Sequence, residues 1–126
     1  MIGKKDDWFE KQVDIIAKTI IGLVFGKEKL MEIIQDREET NDIQTKANEQ
    51  YLSCVIEKLL RENKINEAED LLFEEIKKDP TPGKLEIAAK FYDTLNKYDD
   101  QKLSECNFSH DEIIESVNEL KKIYTN

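Results

Sequence analysis

INEAEDLLFEEIKKDPTPGKLEIAAKFYDTLNKY, residues 65–98, reads as a helix, a breaker and a second helix. Asn66 has a side chain suited to capping, Glu67 and Glu69 follow in the first turn, and Lys77 and Lys78 close the last one. That order of charges suits the helix dipole. Asp79 to Gly83, DPTPG, then stops the helix, because neither proline can continue it and Gly83 frees the backbone. A further helix is predicted from Lys84 to about Tyr98, carrying Leu85, Ala88, Ala89 and Tyr92 at helical spacing. The pattern has the helical period, not the strand period of two.

The same period runs outward in both directions. Towards the N-terminus, one helix is expected from about Asp6 to Phe25, near 30 Å long. Phe9, Val13, Ile16, Ile20, Leu23 and Val24 recur at three- and four-residue steps and form its core face. Trp8, Ile15, Ile21 and Phe25 fall outside that face, so the helix is apolar around most of its circumference and needs cover on nearly all sides. These four flank residues are the candidate interface, and a twofold homodimer is the expected way to bury them. Asp14 and Lys18 interrupt the run, which is therefore not a transmembrane span. The alternative is attachment to a membrane surface, against which stands a polar face mixing Glu10 and Asp14 with Lys11 and Lys18.

Gly26 to Asp42 reads as a short helix with Leu30, Ile33 and Ile34 inward, followed by a polar turn. Asn41 or Asp42 is placed to cap the next helix, which runs to about Glu62 with Leu52, Val55, Ile56, Leu59 and Leu60 on one side. Residues 1–40 thus form an apolar helix plus a short one, and residues 42–126 a series of helix pairs, all in one domain.

Towards the C-terminus, an acidic connection is expected from Asp99 to Cys106, then a last helix to Tyr124. Its start contains Ser109, His110 and Asp111, three residue types that together name a hydrolytic triad. Consecutive helix residues diverge by about 100° and cannot line up in relay. Ser109 and Glu112 instead match a capping box, and Phe108 and Ile113 occupy the positions of a hydrophobic staple. Cys106 and His110 offer two metal ligands where zinc wants four, and Asp93, Asp99, Asp100 and Glu105 lack the spacing of a calcium loop. With no phosphate-binding glycine loop and no activated nucleophile, the expectation is a non-enzyme without cofactor or metal, the alternative being an enzyme with an unrecognised carboxylate site.

Composition narrows the partners. The chain of 126 residues is 37% charged and carries a net charge of −9. Residues 1–30 hold six lysines and five acids, so the acidity belongs to the rest of the molecule. Arg37 and Arg61 are the two arginines, and there is no basic run to release phosphate counterions, which argues against nucleic acid. Two cysteines and no recognisable signal peptide suggest a reduced, cytoplasmic protein.

From Leu52 onward the spacing resembles a degraded tetratricopeptide-type repeat. Leu52, Val55, Ile56 and Leu59 stand where that pattern has Trp, Leu, Gly and Tyr, while Ala68, Leu72 and Pro80 stand for its Ala, Phe and closing Pro. A second register restarts at Leu85 with Ala88, Ala89 and Tyr92. The whole chain also resembles a family of small uncharacterised bacterial proteins, a domain of unknown function with a tetratricopeptide-like helical fold. That resemblance is carried by DDWFEKQVDIIAKTIIGLVFGKEK, by INEAEDLLFEEI and by the segment from Phe91 to Tyr124. It implies an all-α, right-handed array of about five to six helices in antiparallel pairs, and a bacterial, cytoplasmic origin. The function expected of such an array is to bind an unidentified protein or peptide.

Overall fold

The computed structural model describes the backbone of residues 3–36 and 43–125, and the side chains of residues 10–35 and 43–125. Trp8, Phe9 and the capping candidates Asn41 and Asp42 lie outside the described side chains. Among the described residues the chain is all-helical, with eight helices and no strand: α1 (Gly3–Ala17), α2 (Ile20–Phe25), α3 (Lys27–Asp36), α4 (Ile43–Arg61), α5 (Ile65–Lys78), α6 (Pro82–Asn96), α7 (Asp100–Glu105) and α8 (His110–Thr125).

The single long opening helix is corrected to two. Thr19 adopts an extended conformation (φ −100°, ψ 176°), and its hydroxyl donates 2.7 Å back to the Ile16 carbonyl. A threonine that bonds back into the preceding turn competes with the helical ladder and bends the chain. Gly22 then lets α2 close on the end of α1, since a Cβ there would run into the Ala17 backbone. A second break follows at Gly26, whose φ of 86° lies in the left-handed region that glycine enters without cost.

The bend changes which residues meet the core. α2 packs against α1, α3, α6 and α8 at once. Ile20, Ile21 and Phe25 are buried, whereas Leu23 is 84% exposed. A helical wheel drawn straight through residue 19 assigns Leu23 inward and Ile21 and Phe25 to the flanks; the bend exchanges them. α3 folds back along α1 and presents Leu30, Ile33 and Ile34 to the core as expected.

α6 is the spine. It packs against α1, α2, α4, α5 and α8, and Leu85, Ala88, Ala89, Phe91, Tyr92 and Leu95 are all buried on it. The adjacent alanines remove bulk where neighbours approach, and the Phe91 and Tyr92 rings meet edge to face at 4.9 Å. Its start is fixed by DPTPG with a local correction: the helix begins at Pro82, not Lys84, and Thr81 is the cap, accepting the Lys84 backbone N–H at 3.1 Å. Proline at the first helical position gives up no hydrogen bond.

Thr81 also ties three helices together. Its hydroxyl donates to the Glu49 carboxylate of α4 at 2.6 Å, and its carbonyl accepts from the Tyr124 hydroxyl of α8 at 2.7 Å. The buried Lys84 sends its ammonium back to the Glu75 and Asp79 carbonyls, both at 3.0 Å, which satisfies the open end of α5.

Candidate functional site

Two adjoining clefts open where the α4–α5 turn faces the α6–α7 connection. One, of about 330 Å³, is lined by Glu57, Leu60, Arg61, Asn63, Thr94, Tyr98 and Lys102. The other, of about 400 Å³, is lined by Asn63, Asp99, Gln101, Lys102, Glu105 and Cys106. Asn63 and Lys102 belong to both, so the clefts form one continuous groove.

Its two rims are built by the same local device. α4 ends with Asn63 in the left-handed region at φ 61°, with Asn63 N–H bonded to the Leu60 carbonyl (3.0 Å) and Lys64 N–H to the Leu59 carbonyl (2.8 Å). α7 ends in the same way: Asn107 at φ 57° bonds to the Ser104 carbonyl (3.0 Å) and Phe108 to the Leu103 carbonyl (2.9 Å). Both are Schellman closures, in which a left-handed residue turns two backbone amides onto the orphan carbonyls of the last helical turn. Asparagine tolerates that conformation better than other side chains with a Cβ.

Asn66 is corrected here. It sits inside the first turn of α5, whose N-cap position is held by Lys64 without a side-chain cap bond. Its side-chain amide reaches across to the Cys106 and Asn107 carbonyls, 3.4 Å each, and joins the two rims.

The acidic connection is corrected too, because residues Asp100–Glu105 form a helix. Asp99 caps it by accepting the Lys102 backbone N–H at 2.8 Å. Leu103 drops into the core, and the Lys102 ammonium comes to lie 4.2 Å above the Tyr98 ring. A cation over an aromatic face is held by the ring's quadrupole. The groove thus offers an aromatic surface, amides and charges of both signs.

The Ser-His-Asp stretch falls beyond the far rim and works as a helix start. The Ser109 hydroxyl accepts the Glu112 backbone N–H at 3.2 Å, while Phe108 and Ile113 are both buried. His110 Nδ1 pairs at 2.7 Å with Asp100 of α7, not with Asp111. Among the described residues no group of three or more metal-ligating side chains converges.

A polar cluster lies deeper. Glu69 of α5 accepts from the Tyr92 hydroxyl of α6 at 2.6 Å and from the Ser116 hydroxyl of α8. Burial holds the Tyr92 phenol far above its usual range, and the adjacent Glu69 charge and hydrogen bond push the same way. Tyr92 therefore remains a neutral donor that pins α6 to α5.

Two of the four expected interface residues are buried. Ile21 and Phe25 lie inside the chain's own core and are closed to any partner, Ile15 is 41% exposed, and Trp8 falls outside the described side chains. Exposed apolar side chains occur instead at Leu23 and, on α4, at Ile43 and Tyr51. The groove residues Arg61, Asn63, Tyr98 and Lys102 carry no motif. The available signal was Asp99 three residues ahead of Lys102 with Leu103 behind it, a cap followed by an inward apolar residue.

Among the described residues, no helix is long and apolar enough to cross a membrane. No curated protein and no solved structure shows significant similarity to the chain. A family model does match, over residues 3–125, and on that near-complete match the chain belongs to DUF6483, a family of unknown function.

Proposed function

We propose that this chain is a non-catalytic protein–protein interaction module built on tetratricopeptide-like helix pairs, and that the groove between the α4–α5 turn and α6–α7 receives a segment of a partner protein. The observation that carries the reading is the groove's lining. Arg61 and Lys102 supply cations, Glu57, Asp99 and Glu105 supply acceptors, and Tyr98 and Leu60 supply apolar surface within one open channel. Such a mixture suits the alternating side chains and backbone of a peptide, whereas a uniformly basic lining would suit phosphate. The pairing of α4 with α5 across a three-residue turn, and the full burial of Ala68 and Ala89 at the small-residue positions of the repeat pattern, support the repeat-like part of the reading.

In-cell crosslinking followed by mass spectrometry tests it. The expected result is a heterologous protein crosslinked to residues around the groove, lost when Thr94→Arg and Lys102→Glu are introduced together with the helical circular dichroism unchanged. A partner retained undiminished by that double variant, or crosslinks confined to other surfaces, would overturn the assignment.

A further inference from the structure

We propose that the groove selects a partner segment carrying a single acidic residue beside an apolar one, with the carboxylate seated between Arg61 and Lys102. This rests on the groove reading and names the chemistry of the segment that the groove receives.

Arg61 ends α4 and Lys102 lies in α7; both are exposed and both line the cleft of about 330 Å³. Each stands at helical ion-pair spacing from an acid, Glu57 four residues before Arg61, and Asp99 and Glu105 three residues either side of Lys102. Among the described residues neither cation pairs with these acids or with any other. The acids around them are engaged differently. Glu62 takes both Lys58 and Lys64, at 4.0 and 3.6 Å, and Asp93 takes Lys97 at 3.4 Å. Asp99 accepts the Lys102 backbone N–H, and Glu105 accepts the Gln101 amide at 3.4 Å. The Lys102 ammonium lies 4.2 Å over the Tyr98 ring, which steadies it beside the cleft without cancelling its charge.

Two unpaired cations lining one cleft favour an anion between them, and the guanidinium fork of Arg61 matches both oxygens of a carboxylate. Leu60 and Tyr98 line the same cleft, so the residue beside the acid is apolar. The rest of the groove limits the anion to one charge. Glu57 borders this cleft, and Asp99 and Glu105 line the adjoining one. Together with a net charge of −9 on the molecule, these three carboxylates repel a phosphate dianion, a run of acids or a nucleic-acid backbone. A monoanion gains both cations, whereas each further negative charge meets the acids. A basic residue placed in the first cleft is opposed by Arg61 and Lys102 and finds only Glu57 in its favour.

Selection from a displayed library of random short peptides, followed by fluorescence polarisation on the enriched sequences, tests the inference. The wild-type chain is expected to enrich peptides with one Asp or Glu next to an apolar residue. Changing that acid to its amide is expected to weaken binding about tenfold or more, the worth of a charge-assisted hydrogen bond. Arg61→Gln and Lys102→Gln should each produce a loss of the same order with helical circular dichroism unchanged, and a second acid beside the first should also weaken binding. No enrichment, enrichment of basic, uncharged or poly-acidic peptides, or affinity indifferent to Arg61→Gln and Lys102→Gln overturns the proposal. A phosphoserine in place of the acid that binds more tightly assigns the cations to phosphate and overturns it as well. Thr94→Trp, which fills the cleft without changing its charge, separates the two readings. Peptides of other chemistry that are lost with Thr94→Trp leave the groove as a docking site and sink only the acidic segment; peptides that ignore Thr94→Trp count against both.

Discussion

Single residues set the turns of this chain, and they do so by backbone chemistry more than by packing. Gly22 and Gly26 make the two breaks around α2 possible, the first by closing on Ala17 and the second through its positive φ. Asn63 and Asn107 close α4 and α7 in the same left-handed geometry. Ser109 starts α8 with a hydroxyl 3.2 Å from the Glu112 amide. Ser109→Ala is expected to lower stability by about 1 kcal/mol, the ordinary loss for a cap. His110→Ala removes a pair whose Asp100 side chain is 94% exposed, so solvent screens it and the change should be close to neutral. Urea melts of the two variants give the ranking; a larger loss for the histidine would contradict it. Ser109 was legible in the sequence because a cap is defined within four residues. Asp100 as the partner of His110 was not, since the two lie ten positions apart and a helix and a turn bring them together.

At the scale of elements, α2 shows how one bend redistributes a whole apolar set. Its six residues are enclosed by α1, α3, α6 and α8, so Ile20, Ile21 and Phe25 are buried, Val24 is half-buried and Leu23 is left in water. Ile21→Glu places a carboxylate where no solvent reaches and is expected to destabilise the fold by about 3 kcal/mol or more, the order of cost for a buried uncompensated charge. Leu23→Glu, two residues on, should change stability by less than about 0.5 kcal/mol. Thermal melts that reversed this order would restore the straight helix read from periodicity. The existence of α3, α5, α6 and α8 was legible from spacing and breakers, and the core residues of α3 and α6 followed. α7 was hidden, because six mostly polar residues resemble a loop until Leu103 is seen to have a core to enter.

Across the whole molecule, partly buried polar contacts between helices fix how they are placed. Thr81 joins α4, α6 and α8, Lys84 seals the end of α5, and Glu69 holds Tyr92 and Ser116. Tyr92 gives this a pH signature. Its folded pKa lies above the ordinary value of 10, so the unfolded chain loses the phenolic proton first as pH rises. The stabilisation is fully present below about pH 10 and is expected to fall as pH climbs above it. Tyr92→Phe should be less stable than the wild type at pH 7 and lose less additional stability between pH 9 and 11. Chemical denaturation at a series of alkaline pH values measures both slopes, and parallel slopes would refute the linkage.

The sequence by itself determined the helical class, the breaks at DPTPG and Ser109, the acidic surface and the inward stripes of α3, α4 and α6, because period, caps and charge act over one or two turns. Tertiary structure alone decided which way the apolar opening segment faces, that residues 100–105 are helical, and that Arg61, Asn63, Tyr98 and Lys102 share a groove. Each of these depends on groups far apart in the chain. A side chain's inward direction is fixed by the helices around it, and those are set by bends such as the one at Thr19, which a repeating apolar pattern does not record.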